Sequence, residues 1–582
     1  MPGSILGTRV LRIEDPDLLK GLGQFVGNID VPALAHAVFV RSPLPHAVIE
    51  NVEVSEAERA PGVVKVLTAD SIGIEPFHGF MVLNEKCARP PLASKKVRFV
   101  GEPVAVVIAQ SFSQAVDAAE QVVVDYTPLK AVVDPEDALG PDAPLQFDEL
   151  GSNLAAGTKD SGDRDPFAGA THVTRLRLKN QRVAAVPMEG NAITVIPEPA
   201  GSPLVTIYVS TQMPHGLKTN LCRILGLDPE SVRVVAPHVG GGFGAKAGVT
   251  AEHLVITAAA IQLGRPITWR ETRSENMTAM PHGRAQIDYV EIGFDQDALI
   301  TGMRVRVVSD AGAYAGFGGA LAMGPTRLMA QGVYKIPVIQ YSVAAALTNT
   351  TPMGAFRGAG RPEAAELLER TMNLAASELG IDPVDLRRRN LLSKDSFPMT
   401  SVMGARYDSG DYEAALDEAL RLSDYAGLRA DQQARRDRGE HLLLGIGISM
   451  YVEITAGRGS KEFGQVQIHD DGTATISVGT SAHGQGHATS FAMLVSDRLG
   501  IPLESIKFVQ SDTAAVPRGG GTGGSRSLQL GGNAVLAATD KVLARAKELA
   551  ASELEANPAD IIVTEDGHVG VAGVPASALG WN

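Results

Sequence analysis

Four stretches of the chain combine glycine with arginine, glutamine or small hydroxyl residues in a pattern that suits a large anion. They are VGGGFGAK (239–246), AFRGAGRPEA (355–364), GTSAHGQGHAT (479–489) and RGGGTGGSRS (518–527). Glycine lets the backbone approach a ligand closely. The N–H groups at a helix start, with the dipole behind them, favour negative charge. Successive turn amides form an anion-binding nest. Arg357, Arg361 and Arg526 lie in these loops and can fork onto phosphate oxygens. One such loop is usually a plain turn. Four on one chain, each running into a stretch that reads as a helix, point to a shared role in holding a large polyanionic cofactor.

Other chemistries are excluded by spacing. Residues 519–524 (GGGTGG) match GxGxxG, but SDTAAVPR separates them from the preceding strand SIKFVQ, and the 540–555 stretch reads as helix. A dinucleotide fingerprint needs the glycines directly after a strand and an acid ~20 residues on. The chain has no GxxxxGK[ST], no HExxH and no GxSxG. His483 and His487 are four apart, as zinc on a helix would need, but Gly484 and Gly486 break that helix, and no side-chain metal ligands are expected. Cys87 and Cys222 are the only cysteines. An iron–sulfur cluster needs about four, so electrons from any redox reaction must leave through other chains.

The elements that position the loops follow from periodicity. Val104–Ile108 reads as a buried strand, Phe112–Gln121 as a helix capped by Ser111, and Val122–Tyr126 as a further strand. The Pro-, Gly- and Asp-rich stretch 134–165 reads as a linker. TVIPEP, LVTIYVS and SVRVVAP read as strands, and helices are expected near 251–263 and at Glu363–Leu379. In the latter, Pro362 stands at the first position and Gly380 just past the end. Residues 424–440 form a polar helix and connector. Strands are expected at LLLGIGISMYVEI (442–454), GQVQIH and TATISVG, and helices at 488–499 and about 527–555. With 582 residues, roughly three to five domains are expected. The reading divides the chain into 1–133, a linker 134–165, 166–420 and 421–582.

The formal net charge of −14 argues against nucleic acid as a general partner. No secretory signal opens the chain, no apolar run of ~18 residues spans a membrane, and the cysteine usage suits the cytoplasm.

Several motifs resemble those of the molybdopterin-binding large subunits of the xanthine dehydrogenase and aldehyde oxidase family. They are residues 12–49 (RIEDPDLLKGLGQFVGNIDVPALAHAVFVRSPLPHAVI), VRFVGEPVAVVIAQS (97–111), PMEGN (187–191), STQMPH (210–215), DAGAY (310–314), the 355–364 loop, YDSGDY (407–412), GQG (484–486) and GTGGSRS (521–527). The resemblance implies an α+β fold: an N-terminal a/b-hammerhead domain, then two elongated cofactor-binding domains. It implies molybdenum held by the dithiolene of a molybdopterin, in cytosine dinucleotide form as in bacterial relatives. It implies hydroxylation of an aldehyde or N-heteroaromatic carbon with water as oxygen source. Iron–sulfur (2Fe–2S) and FAD partner subunits would take the electrons, in a dimer of heterotrimers.

By the same resemblance, Gln212 matches a glutamine that hydrogen-bonds a molybdenum oxo ligand. Phe243 and Gly244 sit beside the metal, and Gly241 and Gly242 bind the cofactor. Ala355, Phe356, Arg357 and Gly358 approach the pterin, with Arg357 the loop arginine. Gly484, Gln485 and Gly486 contact the cofactor, and Thr522, Gly523, Ser525, Arg526 and Ser527 form a phosphate loop. Two departures narrow the chemistry. Ala247 replaces the substrate-contacting glutamate of animal purine oxidases, which counts against xanthine. Gly358 replaces the copper-binding cysteine of carbon monoxide dehydrogenases, whose large subunits the chain otherwise resembles. In the family the general base lies in a Gly-Xaa-Gly-Glu segment. The sequence ends at Leu579-Gly580-Trp581-Asn582 without one, so the chain is expected to be C-terminally incomplete and inactive without a completing segment or subunit. Glu189 and Glu453 are the replacements considered. The alternative is a non-catalytic carrier or scaffold subunit.

Overall fold

Several of the strongest apolar runs lie together in one large sheet. In the computed structural model, residues 4–582 are described except 160, 161, 163, 199–204 and 457–460. A seven-stranded sheet runs in the order Val232–Val235, Val205–Val209, Ala192–Pro197, Ile267–Arg270, Ala35–Arg41, Pro103–Ala109, Val63–Thr68. Pro103–Ala109 is buried at every position. A strand covered on both faces has no use for alternation, which is why PVAVVIA is continuously apolar. Ala35 pairs with Ile267 and His36 with Thr268 in parallel, so strands from the N-terminal unit and the unit after it belong to a single sheet. Helix Ala251–Leu263 covers it and is buried from Ala251 to Ala260.

A second sheet runs Leu154–Lys159, Ile339–Leu347, Ile300–Gly312, Gln286–Phe294, His172–Asn180. Helix Arg361–Leu379 packs Leu367, Leu368, Met372 and Ala375 into the core shared by Val290, Ile292, Val305 and Val307. A third, three-stranded sheet of Gly464–Ile468, Ala474–Val478 and Ile506–Val509 shares its core with helices His487–Leu499 and Asn533–Glu553. The chain is α+β throughout. Among the described residues, no helix is long and apolar enough to cross a membrane.

Helix 251–263 falls where it was expected after the glycine loop, between Thr250 and the left-handed Gly264. Ser111 caps the Phe112–Ala119 helix by accepting from the Gln114 amide. The 361–379 helix begins at Arg361, so Pro362 is its second residue. Residues 134–165, read as a linker, contain the short helix Pro135–Ala138 and the strand Leu154–Lys159, which pairs with Ile339–Leu347. Leu204 of LVTIYVS and residues 160, 161 and 163 of that stretch lie outside the described residues.

The strand expected at 442–454 does not form. The segment carries no helix or strand assignment, and side chains take up its backbone groups instead. Gln432 donates to the Leu444 carbonyl, Arg387 to Ile448 and Arg361 to Ile454, and the Met450 amide donates to Glu369. Ile448, Met450 and Val452 rest against the second core, while Leu442 and Tyr451 stay 80% and 67% exposed. The alternation in the sequence is real, but no neighbouring strand among the described residues completes a ladder.

Candidate active-site cleft

The loop 239–246 is fixed from below by one side chain. Gln212, 3% exposed, accepts from the Gly244 amide at 2.8 Å and the Lys246 amide at 3.3 Å. Its Nε2 donates to the Thr522 carbonyl at 3.0 Å. With two donors on one side and an acceptor on the other, the amide has only one orientation, and Nε2 keeps a second N–H. The Gln212 carbonyl also accepts from the Thr522 amide, so this residue joins two of the four loops. A Cβ on Gly242 would lie 2.6 Å from Gln212 Oε1, and one on Gly244 would lie 2.7 Å from the Ala355 carbonyl. Phe243 turns the chain with a positive φ of 54°, a costly conformation for a bulky residue. Its carbonyl accepts from the Arg357 amide at 2.8 Å.

Beneath this loop Lys246 is fully buried. Its Nζ lies 2.7 Å from Ser210 Oγ and 3.3 Å from Glu189 Oε2, and the same Glu189 oxygen accepts from the Gly240 amide. Burial pushes the Lys246 ammonium down to about 8, opposed by Glu189. Glu189, weighed above as a replacement base, is thus engaged in bracing the loop.

The 355–361 loop is held from outside. Arg284 donates to the Phe356 and Arg357 carbonyls and stacks on the Phe356 ring. Arg361 folds inward onto the Gly358 and Ala359 carbonyls and sits 3.8 Å from Glu453. Arg357 lines the cleft.

Of the two remaining loops, 518–527 is already tied at Thr522 to Gln212, and 479–489 is braced more lightly. Gln485 turns its side chain back to the His483 amide and ring, and burial, with His487 nearby, pushes His483 down to about 4. Arg526 pairs with the buried Glu462 at 3.2 Å. Ser525 donates to Glu453, and Thr522 and Ser527 share a hydrogen bond at 2.7 Å.

All four loops face one cleft of about 1590 Å3. Its lining includes Gln212, Gly241, Phe243, Gly244, Ala355, Phe356, Arg357, Gly358, Gly484, Gln485, Gly486, Thr522, Gly523, Ser525 and Arg526. Gly242 and Ser527 stand behind that surface, against Gln212 and Thr522 respectively. The sequence reading missed the N-terminal wall. Arg12, Glu14, Leu18, Gln24 and Phe25 also line the cleft, and Glu14 is hydrogen-bonded to Thr489. The only signal for them was the motif at residues 12–49 itself. Behind Gly244 and Ala355 lies a smaller cavity of about 110 Å3, lined by Arg89, Asn191, Glu252, Glu271 and Tyr314 among others. Burial pushes Glu271 up to about 7, against hydrogen bonds from Asn276 and the Asn191 amide.

The comparisons with known proteins agree with this arrangement. Residues 20–130 match the a/b hammerhead domain of aldehyde oxidase and xanthine dehydrogenase, and residues 147–391 and 418–581 each match a molybdopterin cofactor-binding domain. The chain is 36% identical over 576 residues to the 6-hydroxypseudooxynicotine dehydrogenase complex subunit gamma of Paenarthrobacter nicotinovorans, covering 96% of this chain and 71% of that protein. It is 35% identical over 582 residues to the carbon monoxide dehydrogenase large chain of Hydrogenophaga pseudoflava, covering 94% and 72%. The solved quinoline 2-oxidoreductase of Pseudomonas putida 86 superposes with a TM-score of 0.91 at 31% identity, covering 99% of this chain and 75% of that one.

The chain belongs to the xanthine dehydrogenase and aldehyde oxidase family, as a molybdopterin-binding large subunit. Its residues fit that family's cofactor. Apolar ligand pockets are usually ~300–1,000 Å3, and this cleft of about 1590 Å3 has room for a molybdopterin. Glycine at 242 and 244 lets the 239–246 loop close onto Gln212 and Ala355 around the cleft, since a Cβ at either position would collide with them. The carbon monoxide dehydrogenase structures share the fold, and residue 358 of this chain is glycine, without a thiol.

Proposed function

We propose that this subunit hydroxylates an electron-poor carbon of an N-heteroaromatic ring or an aldehyde. Oxygen would come from water, and electrons would pass to iron–sulfur (2Fe–2S) and FAD partner subunits. The observation that carries this reading is the clamp of Gln212 between the Gly244 amide and the Thr522 carbonyl, which fixes two cofactor loops from different domains around one N–H donor. Similarity to a nicotine 6-hydroxylase and to a quinoline 2-oxidoreductase favours the N-heteroaromatic class. When bound, the cofactor supplies a metal that accepts two electrons from the substrate carbon.

This chain's residues do the positioning. Gln212 offers the second N–H of Nε2 to an oxygen ligand without competing for protons. Gly241–Gly244 and Arg357 present amides and one cation to the pterin end. Arg12, Gly484–Gly486 and Thr522–Arg526 line the far end, where the cytosine nucleotide would lie. Ala247 and Gly358 leave room for a bulky ring. A cytoplasmic dimer of heterotrimers completes the proposal.

The test is anaerobic. Purified native complex should contain molybdenum, iron and flavin, and an N-heterocycle or aldehyde should bleach its iron–sulfur absorbance. Molybdenum-free complex that still turns over would defeat the reading. A second reading rests on the carboxylates lining the cleft. Glu14, Glu453 and Asp512 are each engaged, by Thr489, Ser525 and Arg233 respectively. Under that reading the subunit carries cofactor without turnover, and a fully loaded complex would show no bleaching.

A further inference from the structure

The segment 442–454, which forms no strand, has half of a strand's bonding in place. From Leu443 to Thr455 it makes no turn, bend or helix, and no residue in that span has a positive φ. Its exposure alternates. Ile446, Ile448, Met450, Val452 and Ile454 are half-buried, and Gly445, Gly447, Ser449, Tyr451 and Glu453 are exposed.

In an extended chain, the N–H and C=O of one residue point to one edge and those of the next residue to the other. Between Leu443 and Ala456, the bonded backbone groups all belong to even-numbered residues. The carbonyls of Leu444, Ile448 and Ile454 accept from Gln432, Arg387 and Arg361. The Met450 and Ala456 amides donate to the Glu369 carboxylate and the Gly524 carbonyl. Among the described residues, none bonds to the backbone of Gly445, Gly447, Ser449, Tyr451 or Glu453. One edge is closed by side chains, and the opposite edge is open from Gly445 to Glu453. That is longer than an average strand of ~5–6 residues.

Proteins blunt an open edge with charge, proline, a bulge or a cover. The run LLLGIGISMYV (442–452) has neither charge nor proline, and Leu442, Leu443 and Tyr451 are 80%, 61% and 67% exposed. An edge of this kind pairs with an added strand. It lies within the second cofactor-binding domain, 418–581, and runs into the cleft wall at Glu453, which accepts from Ser525. The chain covers 71% and 72% of its two curated relatives and 75% of the quinoline 2-oxidoreductase, so the rest of those chains has no counterpart here. Pairing with a second copy would leave that portion of the fold without a place.

We propose that the open edge Gly445–Glu453 receives a β-strand from polypeptide corresponding to the part of the relatives that has no counterpart in residues 1–582. The incoming strand is apolar on the face that continues Ile448, Met450 and Val452 over the second core. It also holds Glu453, which faces Ser525 and Arg361, from its free side. The docking edge depends on family membership and not on the proposed reaction, so loss of hydroxylation and loss of docking are separate results.

In the experiment, Tyr451 is replaced by the photoreactive p-benzoylphenylalanine in the native host. The native complex is irradiated, and the cross-linked peptides are sequenced by mass spectrometry. The expected peptide lies outside residues 1–582 and aligns with the uncovered portion of the relatives. A cross-link to residues 1–582 of a second copy, to an unrelated protein or to nothing would overturn the proposal. Ser449→Pro removes one outward amide and leaves every inner bond, so it should cut the yield of that cross-link to about a tenth, with Ser449→Ala matching wild type. Equal yields from a folded Ser449→Pro would count against pairing at this edge. Wild type gives an answer even if the proline variant does not fold. In the native complex, hydrogen exchange at the Gly447, Ser449 and Tyr451 amides should be slowed about tenfold or more relative to an unstructured peptide. Exchange at the unstructured rate would mean that the edge stays open.

Discussion

The two ends of the cleft are built differently. At one end, the 239–246 loop is pinned by side chains from distant parts of the chain. Gln212 holds two of its amides, and buried Lys246 and Glu189 brace it from beneath. At the other end, the 479–489 loop is held locally, with Gln485 bonding within its own loop. A reacting centre must be held to within about 0.5 Å, whereas a phosphate needs only amides and positive charge. The contrast implies that the first end sets chemistry and the second sets retention.

Breaking the tight end should have the largest effect. Lys246→Met leaves Glu189 buried without its cation and should cost about 3 kcal/mol in urea unfolding. Lys246→Met with Glu189→Gln should recover part of that loss. Equal losses for single and double variants would mean that the pair does not brace the loop.

The next effect sharpens the comparison through pH. Glu271, beside the tight end, has its carboxyl pushed up to about 7. The folded protein therefore holds this proton more tightly than the unfolded chain, where the group titrates near its ordinary value. The stabilisation is complete below that ordinary value and is lost as pH rises through about 7, on the order of 3 kcal/mol in total. Glu271→Gln has no proton to lose. It should match wild type at pH 4 and exceed it in stability at pH 8, as read by urea midpoints. A pH-independent difference would remove Glu271 from the account.

The smallest effect belongs to the loose end. Gln485→Ala should change stability by less than ~0.5 kcal/mol, as a surface loop substitution. It should still lower the fraction of cofactor retained after gel filtration, measured as molybdenum per chain. A large loss of stability would mean that this loop is as tightly braced as the other.

Local signals made much of this legible in the sequence. Helix 251–263 is bounded by Thr250 and Gly264, and the 361–379 helix by its proline and Gly380, because caps and breakers act within a few residues. The glycine loops were legible because close approach demands glycine. The strand at 442–454 was misread because alternation reports which side is buried and does not reveal whether a neighbouring strand exists. Gln432, Arg387, Arg361 and Glu369 took the ladder's place, and such long-range side-chain contacts leave no periodic trace. The cleft wall at Arg12 carried no signal of its contacts beyond the motif at residues 12–49, for the same reason.

The parallel pairing of Ala35 with Ile267 also bears on synthesis. The strands Ala35–Arg41, Val63–Thr68 and Pro103–Ala109 emerge from the ribosome early and can pair among themselves. The free edge of Ala35–Arg41 must then wait for Ile267–Arg270. At bacterial and eukaryotic elongation rates of ~5–20 residues per second, that wait is on the order of tens of seconds. Throughout it, the nascent chain carries an open strand edge of the kind that recruits chaperones or a second copy.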